Sequence, residues 1–270
     1  MSDQRAIAII DSGVGGLTVA KEVMRQLPDE RILYFGDNAR CPYGSKSPEE
    51  IRACSFQLIE FVTRYPVKAL VVACNTATAV VLKEAQQLLP LPVIGVIEPG
   101  ARAAVRATKN GRIGVIGTET TIRTRAYEQA LLRLRPETYV AGLACPAFVP
   151  LVEHHQQHTA EARQVVARTL EPLIREELDT LILGCTHYPL LAPVIQDVMG
   201  PSVTLISSAE ETARELTRHA SIARADKTSA APDHLFFTSG GADNFRSIAE
   251  EWLGRRVKVE HRSLEESYQP

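Results

Sequence analysis

The sequence of 270 residues contains no apolar run approaching the roughly 20 residues that cross a bilayer. A membrane partner is therefore not expected. Residues 1–5 are short and polar and lead straight into an apolar segment, so no signal peptide is read there and a cytoplasmic location is expected. An excess of one charge is missing too. The 30 Lys and Arg against 32 Asp and Glu leave a net charge of −2, which supplies no basic field and argues against nucleic acid as the main partner. The five cysteines, at 41, 54, 74, 145 and 185, include no CxxC and no Cys/His pair at zinc spacing. No metal is expected on them, and in a reducing compartment no disulfide framework. They are read as free thiols. With 45% hydrophobic and 23% charged residues, neither disorder nor a fibrous repeat fits, and the length suffices for one large α/β domain or two small ones.

Two stretches stand out against this plain background. Leu70-Val71-Val72-Ala73-Cys74-Asn75-Thr76 and Leu181-Ile182-Leu183-Gly184-Cys185-Thr186-His187 are each an apolar run that stops at a cysteine, then small polar residues, then a helical pattern. Such runs read as strands of a parallel sheet, buried on both faces. Each cysteine then falls at the carboxyl edge of its sheet, where open α/β sheets bind ligands, with a helix amino terminus behind it. That terminus favours thiolate over thiol. One cysteine so placed would most simply be a small buried hydrophobe. Two in matching positions point to a pair of thiols acting on one substrate.

The surrounding chain repeats in the same way. Strands are expected at 6–10, 31–35, 67–73 and 93–97, the last ending at Glu98-Pro99-Gly100, and again at 112–116, 139–144, 180–183 and 203–206. Helical patterns lie between them, at 17–27, from Ser47 to about Arg64, up to about Thr108, up to about Arg135, and from about Thr159 to Glu177. The helix after Ser47 is announced by a serine cap, Pro48 at its first position and Glu50 at its third. Asp11 lines up with Gly117, Cys41-Pro42 with Cys145-Pro146, and Cys74 with Cys185, so one α/β unit is used twice. The tail reads as a helix to about Ala223, a polar loop over 226–233, a strand at 235–238, a helix at 244–253 and a strand at 257–260. It is expected to return to the first unit. The expected domains are thus 1–98 plus 208–270, and 99–207, with a cleft between two facing sheet edges.

The first strand ends in Asp11-Ser12-Gly13-Val14-Gly15-Gly16, a glycine-rich turn whose N–H groups can hold an anion. It is neither GxGxxG nor a phosphate loop, because the spacing differs and no Lys-Ser/Thr pair follows. Asp11 is either a turn former or a site acid. The Pro42-Tyr43-Gly44 loop belongs to the same edge. His187, two residues beyond Cys185, and Glu153, from the adjoining Phe148-Val149-Pro150-Leu151-Val152-Glu153 segment, complete the acid/base set. Cys41, Cys54 and Cys145 are read as packing or loop residues, and His154, His155 and His158 as a solvated cluster without a metal pattern.

A carbon gripped between two proton carriers can be inverted, one removing a proton while the other delivers one from the opposite side. Cysteine suits this work because its ordinary pKa of ~8.5 lies near neutrality. The obstacle is the acidity of a proton next to a carboxylate, since each unit of mismatch costs about 1.4 kcal/mol. Backbone N–H groups and hydroxyls at Asn75-Thr76 and Thr186 are placed to receive the carboxylate charge as it grows. Ser12 and the Tyr43-Gly44 loop are placed to anchor the rest of the molecule. A duplicated binding protein whose cysteines merely pack is the alternative of a different class.

Taken together, the Asp11–Gly16 turn, Pro42-Tyr43-Gly44, Ala73-Cys74-Asn75-Thr76-Ala77, the segment ending in Glu153, and Gly184-Cys185-Thr186-His187-Tyr188-Pro189 resemble the motif set of bacterial glutamate racemases. The resemblance covers nearly the whole chain, least distinctively at its carboxyl end. It implies two flavodoxin-like domains, commonly a homodimer, and a cofactor-independent interconversion of L- and D-glutamate that supplies D-glutamate for peptidoglycan. It implies further that Cys74 takes the proton from D-glutamate and Cys185 from L-glutamate. Asp11, Glu153 and His187 would be supporting acid/base groups. Ser12, Tyr43, Gly44, Asn75, Thr76, Thr186 and His187, with Asp11, would contact substrate. No arginine in these motifs declares a pocket for a side-chain carboxylate, so aspartate or a related amino acid stays open as substrate at this point.

Overall fold

A computed structural model describes residues 4–219 and 232–264. The first unit runs β1 (Ala6–Asp11), α1 (Leu17–Gln26), β2 (Ile32–Gly36), α2 (Pro48–Thr63), β3 (Val67–Val72), α3 (Asn75–Leu88) and β4 (Val93–Gly95). After α4 (Ile97–Ala107) the second runs β5 (Arg112–Gly117), α5 (Glu119–Arg123), α6 (Ala126–Leu134), β6 (Tyr139–Ala144), α7 (Phe148–Glu153), α8 (Ala160–Ile174), β7 (Thr180–Gly184), α9 (Ala192–Met199) and β8 (Thr204–Ser207). The chain closes with α10 (Ser208–Arg218), β9 (Leu235–Thr238), α11 (Ala242–Leu253) and β10 (Val259–His261).

Two parallel sheets result, ordered β10-β9-β2-β1-β3-β4 and β6-β5-β7-β8. Stripped of β9 and β10, the first has the order of the second: the second strand of each unit beside the first, then the third and the fourth. The duplication read from cysteine spacing is therefore a duplication of topology. Because β2 and β3 leave β1 in opposite directions, the sheet has its switch point between β1 and β3, and the second sheet has one between β5 and β7. Ligand crevices open at the carboxyl ends of such strands. In register, Ile10 faces Val72 and Gly117 faces Gly184. Cys74 and Cys185 thus come just past strand ends at equivalent points.

The alternation of core side chains explains why these runs fold as strands. Ile7 and Ile9 of β1, with Val71 of β3, pack under α1 and α11, while Ala8 and Ile10, with Leu70 and Val72, pack under α2. The first of these cores continues to Leu181 and Leu183 of β7, and Ile182 faces a third core with α4 and α6. Each fully buried Ile or Leu contributes about 1.5–3 kcal/mol, so a strand buried on both faces is fixed in register by its own sequence. The Ser47 cap forms as read: its Oγ accepts from Glu50 N–H at 3.2 Å, and Glu50 Oε2 accepts from Ser47 N–H at 2.9 Å.

Four element expectations are corrected. The fourth strand stops at Gly95, and Glu98-Pro99-Gly100 lies in the first turn of α4, where proline's missing N–H has no intrahelical partner to lose. The helix expected up to Arg135 is two, broken where Arg125 takes the left-handed conformation at φ 54°. The short strand β10 begins at Val259 rather than 257. The helix after Ser207 ends at Arg218, where His219 takes an extended conformation, rather than running to about Ala223; most of the polar loop at 226–233 lies outside the described residues. Among the described residues no helix is long and apolar enough to cross a membrane.

Candidate active site

Cys74 is held by the helix it precedes. It is the N-cap residue of α3, and its Sγ accepts from the Ala77 N–H at 3.4 Å. Ser12 Oγ lies 3.5 Å from the same sulfur. The neighbouring carboxylate, Asp11, is only 1% exposed and accepts from Gly13 N–H at 2.9 Å and from the Thr186 hydroxyl at 3.4 Å. Burial pushes the Asp11 carboxyl above the usual range, against the opposing pull of His187 and these donors. Burial, reinforced by the Asp11 charge, raises the Cys74 thiol to about 12, although Ser12 and the α3 terminus work the other way. Around this sulfur the proton is firmly held.

Cys185 has a different environment, and here one expectation is corrected. No α-helix starts directly behind it. A 3-10 turn, Tyr188–Leu191, separates it from α9, so the helix terminus that caps Cys74 has no counterpart. An imidazole takes its place. His187 Nδ1 lies 3.8 Å from Cys185 Sγ, and its Nε2 lies 3.2 Å from Glu153 Oε1. Burial alone would drive the proton off His187, but hydrogen bonds and charge from Cys185 and Glu153 outweigh it and raise the imidazole to about 10. Burial also opposes the Glu153 charge, yet His187 and the Cys41 thiol leave this carboxyl below its ordinary value. The result is a protonated imidazole between a sulfur and a carboxylate at neutral pH.

Glu153 reaches His187 because α7, which carries it, is pinned to the Tyr188 turn. The Phe148 and Tyr188 rings meet edge to face at 5.3 Å, and the Tyr188 hydroxyl donates to the Cys145 carbonyl at 2.9 Å. The two lobes also touch at the site itself. Thr18 Oγ1 donates to the Thr186 carbonyl at 3.2 Å, and Thr76 Oγ1 lies 2.9 Å from Thr118 Oγ1 and 3.3 Å from Thr121 Oγ1. A Cβ added at Gly15 would sit 2.3 Å from Thr186 Oγ1 and 2.7 Å from the His187 ring. Only a bare backbone fits there.

Cys74 and Cys185, 5% and 6% exposed, lie deep between the lobes. A cavity of about 190 Å³ opens between the 42–45 loop and α7, with Gly44, Thr118, Val149 and Glu153 in its wall. Of the expected site residues Gly44 and Glu153 line this cavity, while Glu153 reaches His187, Ser12 reaches Cys74 and Thr186 reaches Asp11. Tyr43 is different. Its buried phenol donates to Asp37 Oδ2 at 2.5 Å.

Several residues of the site escape a reading by motif. Asp37 accepts from Tyr43, from Arg40 at 2.8 Å and from Ser239 at 2.6 Å, fixing the Pro42-Tyr43-Gly44 loop to the end of β9. Cys41, read as bland, donates to Glu153 Oε1 at 3.5 Å, and burial and the Glu153 charge push its thiol far up, so it is a donor and no nucleophile. Thr118 and Thr121 follow β5 as Ser12 follows β1, and the internal alignment was the one signal that marked their position.

A thiol at the edge of each of two matching sheets, each beside its own acid/base partner, is equipment for moving protons at carbon. The family model described as Asp/Glu/Hydantoin racemase matches residues 10–216. A glutamate racemase of Exiguobacterium sibiricum is 52% identical over 94% of this chain and 94% of its own. The crystal structure of a glutamate racemase isoform of Bacillus anthracis superposes with a TM-score of 0.94 at 51% identity, covering 97% of this chain and 98% of that one. The Francisella tularensis glutamate racemase in complex with D-glutamate gives 0.89 at 32% identity, covering 98% and 100%. The chain belongs to the Asp/Glu/Hydantoin racemase family and stands among its glutamate racemases.

Proposed function

We propose that the protein interconverts L- and D-glutamate by passing the α-proton between two thiols. In the L-to-D direction the Cys185 thiolate takes the α-proton, its charge balanced by the His187 imidazolium and, behind it, the ionised Glu153. The electron pair left on carbon spreads into the α-carboxylate, and the Cys74 thiol delivers its proton to the opposite face. In the D-to-L direction Cys74 is the base and Cys185 the acid, with Asp11 beside Cys74 as its proton partner. Each direction leaves the two thiols in exchanged protonation states, and exchange of their protons with solvent restores the starting pair before the next turnover in the same direction.

The observation that carries this reading is the asymmetry of the two walls. One sulfur is an N-cap that burial keeps as the thiol, and the other faces a protonated imidazole. That is the arrangement needed for an acid and a base to stand ready at once. Asn75, Thr76, Thr186 and the turn at Asp11-Ser12 supply donors for a carboxylate whose charge grows in the transition state, in surroundings shielded from water where such contacts count most. The Tyr43-Gly44 backbone anchors the other end. We further assign the chemistry to these side chains without a bound cofactor, the domains to 1–98 plus 208–270 and 99–207, the product to peptidoglycan synthesis in the cytoplasm, and the working form to a homodimer.

Loss of optical rotation from L-glutamate and from L-aspartate, followed in the presence of a metal chelator and without pyridoxal phosphate, tests the reading. Rapid decay with glutamate and slow decay with aspartate is expected. A preference for aspartate, or a requirement for added cofactor, contradicts it.

A further inference from the structure

Tyr127 lies in no motif of the site, yet its hydroxyl leaves its own lobe. The residue is buried on α6, and its Oη donates to Asn75 Oδ1 at 2.7 Å, across to the first turn of α3 beside Cys74. Ser208, at the start of α10, lies close by: a Cβ on Gly100 would meet its Cβ at 3.2 Å. The ring is boxed in. A Cβ on Gly184 would lie 3.1 Å from its Cε2, and one on Gly100 3.4 Å from its Cε1 and hydroxyl.

With its oxygen taking the Tyr127 proton, the Asn75 amide turns its amino group to the other side. That amino group, Nδ2, is buried and has no hydrogen-bond partner among the described residues. An unpaired buried donor is costly and is tolerated where a ligand completes it.

We infer that Tyr127 is a positioning residue: it fixes the Asn75 amide so that Nδ2 donates to a carboxylate of the substrate. The inference rests on the assignment of Asn75 to substrate binding made above. Without the hydroxyl the amide is free to turn over and set its oxygen against the carboxylate. The bond joins α3 to α6, and Tyr127 also packs beneath Gly184, the residue before Cys185.

Tyr127→Phe keeps the ring and removes only the hydroxyl. KM for L- and D-glutamate is expected to rise by about tenfold, by the same factor for both because both present the carboxylate, while kcat changes by less than about threefold. In an Asn75→Ala background, Tyr127→Phe should change KM by less than about twofold. A merely structural role predicts another pattern: a lower melting temperature, fewer active molecules and so a lower apparent kcat, an unmoved KM, and the same loss in both backgrounds. That pattern overturns the inference, as does an unmoved KM in Tyr127→Phe when Asn75→Ala raises it. An unmoved KM in Asn75→Ala overturns instead the substrate assignment of Asn75 on which the inference stands.

Discussion

Glu153 Oε1 and His187 Nε2 stand 3.2 Å apart, and through the other ring nitrogen that contact reaches Cys185 Sγ at 3.8 Å. The carboxylate comes from the end of α7 and the imidazole from the turn before α9, so neither sequence neighbour nor shared element brings them together. The pair gives one sulfur a cationic partner that the other lacks.

A pH dependence follows from that contact. His187 is raised to about 10, so it stays protonated through the neutral range and loses its charge as pH climbs through that value. Turnover is expected to fall along the same alkaline limb. In Glu153→Gln the imidazolium loses its nearest anion, the imidazole pKa drops, and the limb moves to lower pH, with kcat at neutral pH reduced by about 10- to 100-fold. A kcat–pH profile of both proteins checks this; an unshifted limb removes Glu153 from its role.

Asp11→Asn tests the other wall. After burial, the Asp11 charge is the largest influence that holds the Cys74 proton on, so its removal should lower the thiol from about 12. Titration of thiolate absorbance in a Cys185→Ser background reads the shift. A midpoint that does not move, or moves up, contradicts the placement of Asp11 beside Cys74.

Gly15→Ala should damage the site through packing alone. The new methyl would lie 2.3 Å from Thr186 Oγ1 and press on the His187 ring, and overpacking of this kind costs about 1–3 kcal/mol. Both a lower urea midpoint and a reduced kcat are expected, whereas Gly241→Ala, where an added Cβ meets nothing within 4 Å, should leave both in place.

How much of this was legible beforehand depends on the range of the interaction. The runs ending at Cys74 and Cys185 could be read because strands buried on both faces leave a continuous apolar signature, and the Ser47 cap because its partners are three residues apart. The run at 93–97 misled because an apolar stretch does not say where extended chain turns helical; Val96 and Ile97 are buried either way. Cys41, Asp37 and Tyr127 were invisible as site residues because each has a partner far along the chain, Glu153 112 positions from Cys41, Ser239 202 from Asp37 and Asn75 52 from Tyr127.

Away from the site, Lys68 Nζ and Glu30 Oε2 form a buried ion pair at 2.5 Å. Lys68→Met leaves a buried carboxylate without this cation and should cost about 3–5 kcal/mol in urea unfolding, while Lys68→Met with Glu30→Leu should recover most of it. A single variant as stable as the parent contradicts this.

The most direct test of two thiols sharing one carbon is the fate of label when a single enantiomer turns over in D2O. At early times the newly formed enantiomer should carry deuterium at the α-carbon while the remaining starting enantiomer keeps its protium, because removal and delivery are done by different sulfurs on opposite faces. Equal early labelling of both enantiomers would mean that one group serves both faces, and the assignment of Cys74 and Cys185 to opposite sides of the substrate would be wrong.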